Sequence, residues 1–208
     1  MTNPNISTLC DHFDQGSVNS NLWTTPSGAS LASVGTGNVA TTLSMSPSFA
    51  GISFPVTVTV PTLTCTATSG NNEGVQSVAA YDLTGGGLSV ELLPFTPGNN
   101  VQCDFSLITG VNSLSWHVDN SGNLDVVDTV NGTTRVKNSP ITSAYRYLRI
   151  RESGGTTYWD YSADGLTWTN AVNVSNPFSV TGVTVFLGTT GSPSGTNTVL
   201  WANVNYVL

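Results

Sequence analysis

Charged side chains are scarce in this 208-residue chain: Asp, Glu, Lys and Arg together make up 8%, where a typical soluble domain carries about 25%. Only five residues are Lys or Arg, the formal net charge is −7 and the sequence pI is about 4.3. That balance excludes nucleic acid as a partner, because binding it means neutralising phosphates with basic side chains. Long apolar runs are missing as well. No stretch of roughly eighteen or more apolar residues occurs, and the N-terminal MTNPNISTLCDHF has no basic region leading into an apolar segment, so neither a membrane span nor a Sec signal is expected. Cys10, Cys65 and Cys103 are odd in number and share no metal-ligand spacing. A disulfide framework or zinc site is therefore not expected, and the thiols read as reduced and mostly buried, with one bridge and a spare thiol as the alternative. No long window shows the 3.6-residue apolar period of a helix.

Thr, Ser, Val, Asn and Gly fill the chain, and 38% hydrophobic content with five Trp is ample for a core. These residues suit strands, so the expected class is all-β, in one domain over 1–208 with residues 1–9 as an N-terminal extension. The clearest stretch is Tyr145–Trp168, YRYLRIRESGGTTYWDYSADGLTW. Gly154-Gly155 and Asp164-Gly165 accept positive φ cheaply, as two-residue hairpin loops require. Counting outward from Gly154-Gly155 sets Arg151 opposite Tyr158, Ile150 opposite Trp159, Arg149 opposite Asp160 and Leu148 opposite Tyr161. Counting from Asp164-Gly165 sets Tyr161 opposite Trp168. One face then carries Leu148, Ile150, Trp159, Tyr161 and Trp168; the other carries Arg149, Arg151, Tyr158 and Asp160.

Further strands are expected over Gly51–Ser69, with a bend, bulge or edge at Pro61, and over Gly74–Leu83, Leu88–Phe95, Val101–Ile108 and Leu114–Val118. Leu124–Lys137 forms a hairpin about Asn131-Gly132, which sets Asp128 opposite Arg135. The terminal strand alternates, with Leu200, Ala202 and Val204 on the core face and Trp201, Asn203 and Asn205 outward. About a dozen strands with regular turn signals suit a sandwich or jelly roll.

Three segments, DHFDQGSVNSNLW, YLRIRESGGTTYWDYSADGLTW and the terminal ANVNYV, resemble the concanavalin A-like lectin/glucanase jelly roll in its laminin-G-like form. YDLTGGGLSVEL resembles a segment of such domains in bacteriophage tail and other virion proteins. The resemblance implies two apposed, curved antiparallel sheets whose first and last strands lie near one another. It also implies, for glucanase members, a Glu nucleophile and a Glu acid flanking an Asp on one strand. Glu73, Glu91 and Glu152 have no acidic neighbour at that spacing, Asp125 and Asp128 fall on opposite faces, and Asp164 is a turn residue. No catalytic residue and no cofactor is therefore expected, and the scattered Asp residues read as loop caps rather than as a structural calcium site.

The candidate binding residues are Trp201 with Asn203 and Asn205, an outward indole and two amides suited to a sugar ring, and Tyr158 beside Arg149 and Arg151. The same arginines read equally as cross-strand partners of acidic residues. Taken with the resemblance, these features suggest a non-enzymatic bacteriophage virion surface protein, a decoration, tail or fibre-associated module on a symmetric assembly with other virion proteins, in contact with host glycans. The alternatives are a stand-alone carbohydrate-binding module or lectin, and a glycoside hydrolase with an unrecognised acid pair.

Overall fold

The structure, a computed structural model, describes residues 2–27, 29–44, 53–68, 71–94, 101–119, 121–141, 145–191 and 195–205. Within them a short 3-10 turn, Ile6–Thr8, precedes the strands β1 (Trp23–Thr24), β2 (Ser30–Leu31), β3 (Ser33–Ser44), β4 (Ser53–Ala67), β5 (Glu73–Ser77) and β6 (Tyr81–Asp82). There follow β7 (Gly87–Leu92), β8 (Val101–Thr109), β9 (Asn112–Val118), β10 (Leu124–Val130) and β11 (Thr133–Ile141). The chain continues through β12 (Tyr147–Ser153), β13 (Thr156–Ser162), β14 (Thr169–Ser175), β15 (Thr181–Gly191) and β16 (Asn197–Ala202). Two sheets result. The front sheet runs β1-β5-β15-β8-β9-β10-β11, with β2 on β5 and β6 on β15; the back sheet runs β14-β13-β12-β7-β16-β4-β3. Apart from β2 against β5, the strands pair antiparallel, giving the concanavalin A-like jelly-roll sandwich that the sequence suggests. No helix among the described residues is long and apolar enough to cross a membrane.

The inner faces of the sheets share one core. Its largest members are Trp23, Trp116, Trp159 and Trp201, each 2% exposed or less. Two of these indoles also join the sheets directly. Trp116 of the front sheet donates its Nε1–H to the Arg149 carbonyl at 3.0 Å, and Trp159 of the back sheet donates to the Ser115 carbonyl at 3.2 Å. Trp23 donates to Asp11 Oδ2 at 2.7 Å, holding the N-terminal segment against β1. In that segment, read from sequence as an extension, Ile6 and Leu9 are fully buried, and their carbonyls accept from the Asn205 amide at 3.1 and 2.8 Å.

The β12–β13 hairpin has the register expected from Gly154-Gly155, pair for pair from Leu148↔Tyr161 to Ser153↔Thr156. Asp128↔Arg135 also stands, with a two-pronged ion pair at 2.9 and 2.8 Å. Its surroundings are drier than the wet face expected, since Asp128 is fully buried. At Asp164-Gly165 the expectation fails. The Asp164 carboxylate accepts from the Leu166 and Thr167 N–H groups, which widens the loop, so β14 starts at Thr169 and Tyr161 faces Thr169. One position of slip reverses the side-chain parity, and Trp168 lies under the Arg149 guanidinium, 4.1 Å from its ring centre, on the face opposite to the one expected.

Pro61 interrupts nothing on the β3 side, where the register runs straight through Pro61↔Thr36. Pairing of β4 with β16, however, stops at Leu63↔Trp201, so the chain at Pro61 has a partner strand on one side. The thiols are free, Cys65 and Cys103 buried and Cys10 exposed. Burial pushes the Cys65 and Cys103 thiols far above their ordinary pKa.

The buried Trp201 Nε1 has no hydrogen-bond partner among the described residues, unlike those of Trp116 and Trp159. Losing that donor is therefore cheaper than losing a bonded one. Trp201→Phe is expected to lower unfolding free energy less than Trp159→Phe in urea denaturation, whereas Trp201→Ala costs about 3–5 kcal/mol by emptying the core.

Candidate functional site

The sugar-like constellation expected at the end of the chain does not assemble. Trp201 is fully buried, and it is Leu200 and Ala202 that turn to the other side, packing with Val60 and Leu93. Strand β16 ends at Ala202, and Asn203 takes φ +47°, which resets the alternation so that Val204 also enters the core. The Asn203 amide donates to Glu91 at 2.5 Å, and Asn205 holds the N-terminal segment. The indole thus presents no face to solvent. The second candidate set is assembled but engaged: Arg149 and Arg151 both bond Asp160, itself 2% exposed, at 2.8 and 2.7 Å, and Arg151 covers the Tyr158 ring at 3.9 Å. These cations neutralise a buried carboxylate and form no free positive stripe.

The glutamates are similarly occupied. Glu91 is fully buried against Arg146, Glu73 accepts from the Thr66 N–H at 2.8 Å, and Glu152 accepts from the Gly85 and Gly155 N–H groups, both at 2.6 Å. Those backbone bonds hold the Glu152 carboxyl below its ordinary pKa, against an opposing contribution from burial. The loop aspartates cap backbone in the same way, Asp119 at Ser121 and Asn123, Asp164 at Leu166 and Thr167.

What remains is the solvent face of the front sheet, which hollows into a cleft of about 850 Å³. Strand alternation sends Asp104 and Ser106 of β8, Ser115 and His117 of β9 and Asp125 and Val127 of β10 onto its floor, while Phe105, Trp116 and Val126 point into the core. Register then aligns them in rows across the strands. Asp104 faces His117, and His117 faces Asp125. Next to them Ser106 faces Ser115, with the hydroxyls bonded at 2.8 Å.

His117 Nδ1 and Asp104 Oδ1 are 2.7 Å apart, and the other Asp104 oxygen accepts from the Thr190 hydroxyl. Burial alone would lower the His117 pKa. The hydrogen bond to Asp104 and the charges of Asp104, Asp125 and Asp119 outweigh it, so the imidazole titrates above its ordinary value. With Nδ1–H directed to Asp104, Nε2 is the atom left to exchange a proton at the cleft. Asp125 Oδ1 is buried and has no hydrogen-bond partner among the described residues. The arrangement is an imidazole between two carboxylates, one bonded to it and one with a buried oxygen that has no hydrogen-bond partner among the described residues. This can donate a proton at Nε2 and stabilise or attack a developing cation at Asp125. Among the described residues no group of three or more His, Cys, Asp and Glu is disposed to hold a metal ion.

Sequence reasoning missed this row because it runs across strands, not along one. The signal was present: counting outward from the Gly110-Val111 turn, as at Gly154-Gly155, sets Asp104 opposite His117. No strand of the cleft floor carries two carboxylates two or four residues apart, so the glucanase spacing implied by the resemblance is absent from the described floor.

No family model matches the chain, and no curated protein matches it. Solved structures do. The β-glucanase of Bacillus licheniformis aligns with 96% of this chain and 97% of its own at 11% identity and a TM-score of 0.60. A non-specific endo-β-1,3(4)-glucanase of family GH16 covers 95% and 89% at 8% identity and TM-score 0.62, and the catalytic domain of a laminarinase from Thermotoga petrophila covers 95% and 95% at 6% and 0.59. At these identities the likeness establishes the fold. It also corrects the expectation of a non-enzymatic bacteriophage virion surface protein, since structures sharing the whole fold are glycan-processing enzymes.

The His117 environment is open to direct test. Its imidazole is expected to titrate above about 6.5 by NMR, and Asp104→Asn should lower that value. Because the folded-state pKa is the raised one, the stability this pairing contributes is fully present below pH ~6.5 and fades as pH rises through the folded value. Denaturation midpoints of wild type and Asp104→Asn should accordingly converge at alkaline pH.

Proposed function

We propose that this chain is a glycoside hydrolase acting on a glycan that lies in the front-sheet cleft, with Asp104, His117 and Asp125 as its chemical centre. The observation that carries the reading is the cross-strand row itself, an imidazole bonded to one carboxylate and opposed to another on the floor of a cleft of about 850 Å³. The fold adds weight, because it is that of endo-acting glucanases.

Each residue has a distinct part. His117 in its protonated form, which the Asp104 carboxylate favours, gives its Nε2 proton to the glycosidic oxygen as that bond breaks. Directly opposed cross-strand side chains start from Cβ atoms about 4.5–5.5 Å apart. Such adjacency suits a retaining mechanism, in which one group attacks the anomeric carbon directly, better than inversion, which needs two widely separated groups with water between them. Asp125 acts as the nucleophile: its carboxylate, on the cleft lining, bonds the anomeric carbon as the leaving group departs with the proton. His117, now neutral, takes a proton from water, which hydrolyses the glycosyl ester and frees Asp125. Asp104 touches no substrate in this scheme and positions the imidazole.

The test is reducing-sugar release from a panel of soluble polysaccharides, with product anomers followed by NMR. Asp125→Asn and His117→Gln should each cut turnover by about 100-fold or more, and retained anomeric configuration is expected. Activity should fall on the alkaline side as His117 deprotonates, and Asp104→Asn should move that limb to lower pH. Turnover that survives both substitutions at wild-type rate would sink the assignment, as would a wild type inert on every polymer.

A further inference from the structure

The row containing the acid and the histidine continues beyond Asp104 into two glycines. Asp104 faces Gly188 of β15, and Gly188 faces Gly74 of β5. Two adjacent strands thus present bare backbone beside the carboxylate. The space is taken by Phe186, which stands one side-chain position along β15 on the same face and is half-buried in the cleft floor. A Cβ on Gly188 would stand 2.6 Å from Phe186 Cζ, and one on Gly74 2.9 Å from its Cε2. The ring therefore leans along the strand over the glycine pair, toward Asp104, with backbone beneath it. Gly188 is also hemmed in by the Glu73 carbonyl at 2.7 Å, so the glycine serves both the sheet and the ring.

Phe186 is the aromatic side chain on the lining of this cleft. On the back sheet, by contrast, Trp168 lies under Arg149 and Tyr158 under Arg151. Around Phe186 stand polar groups suited to hydroxyls. Gln76 and Ser106 are its cross-strand neighbours on either side, and Gln102 lies one row beyond Asp104. The charge of the cleft is of one sign apart from His117, with Asp104, Asp119 and Asp125 on its lining and no Lys or Arg among the lining residues.

We propose that Phe186, laid over Gly74 and Gly188 beside Asp104, is a stacking platform for the apolar face of a sugar ring, and that the cleft takes uncharged glycans. A flat ring supported from below offers its other face at little entropic cost, and sugar C–H groups pack on it while the flanking amides and hydroxyl bond the ring's edges. Uronate and sulfated polymers are repelled by the excess of carboxylates over the single imidazole. The platform sits next to the catalytic row, so it sets which sugar is presented to His117 and Asp125. The proposal rests on the cleft being a glycan site, and specifies what that site selects.

The experiment measures binding separately from turnover. In an Asp125→Asn background, affinity electrophoresis through gels holding β-glucan, galactomannan or polygalacturonate is run for Phe186 and for Phe186→Ala, Phe186→Leu and Phe186→Trp. Matching thermal melts establish that each variant is folded; Phe186→Leu keeps apolar bulk but loses the flat face. Retardation by a neutral polymer, weakened about tenfold by Ala and Leu and kept by Trp, supports the platform. Neutral-polymer binding unchanged by Ala and Leu overturns it while leaving the hydrolase reading intact. Tighter binding to polygalacturonate than to any neutral polymer overturns the charge selection. Binding lost with Ala in a protein whose Asp125 form releases no sugar supports the platform and removes the hydrolase reading; no neutral polymer bound at all removes both.

Discussion

Two indole N–H groups, pointing in opposite directions across the core, set the distance and register between the sheets. Trp116 reaches from β9 to the Arg149 carbonyl, and Trp159 reaches from β13 to the Ser115 carbonyl. A large buried ring contributes apolar burial wherever it fits, but a buried N–H must find a partner, and that demand selects one placement. Both bonds involve β9, since Trp116 and Ser115 are neighbours on it. The strand carrying His117 is thus fastened to the back sheet at two successive residues, and its outward side chains inherit that rigidity. Side chains held this way keep a working geometry without help from loops.

The polar economy of the molecule separates the two outer faces. On the back sheet Arg146 is engaged by Glu91 and Arg149 and Arg151 by Asp160, and Trp168 and Tyr158 carry guanidinium groups. Such pairs satisfy buried carboxylates and leave little to offer a ligand. On the front sheet no arginine or lysine is among the residues lining the cleft, and one oxygen of Asp125 has no partner among the described residues. Chemistry is expected where charge is left uncompensated, because a group already neutralised by its neighbours has little more to give.

Much of this was legible in residue order. The hairpin closed by Gly154-Gly155 has the register that its turn dipeptide dictates throughout, and the one closed by Asn131-Gly132 has it as far as Val127↔Val136, because a tight loop fixes the first pair and alternation carries it outward until a bulge intervenes. Asp164-Gly165 misled because the aspartate also caps two N–H groups, making a wider loop. Trp201 misled because β16 has apolar residues on both faces, so alternation could not tell the core from the outer cluster with Leu93. The cross-strand row on the cleft floor was hidden for a different reason. Asp104, His117 and Asp125 belong to three strands, and only their joint register makes them neighbours; no motif of fixed spacing links them.

The order of strands has a consequence for how the protein is made. β15 lies between β5 and β8, and β16 lies between β7 and β4. Each sheet therefore stays divided until a strand from the C-terminal portion of the chain is inserted between two much earlier ones. A ribosome releasing the chain from its N-terminus exposes four unpaired inner edges before either gap can close, a period in which pairing with a second chain competes with folding. Completion of both sheets waits for β15 and β16 and is dominated by distant contacts, and it is correspondingly slow. The thinly charged surface offers little electrostatic repulsion to keep nascent copies apart during that wait.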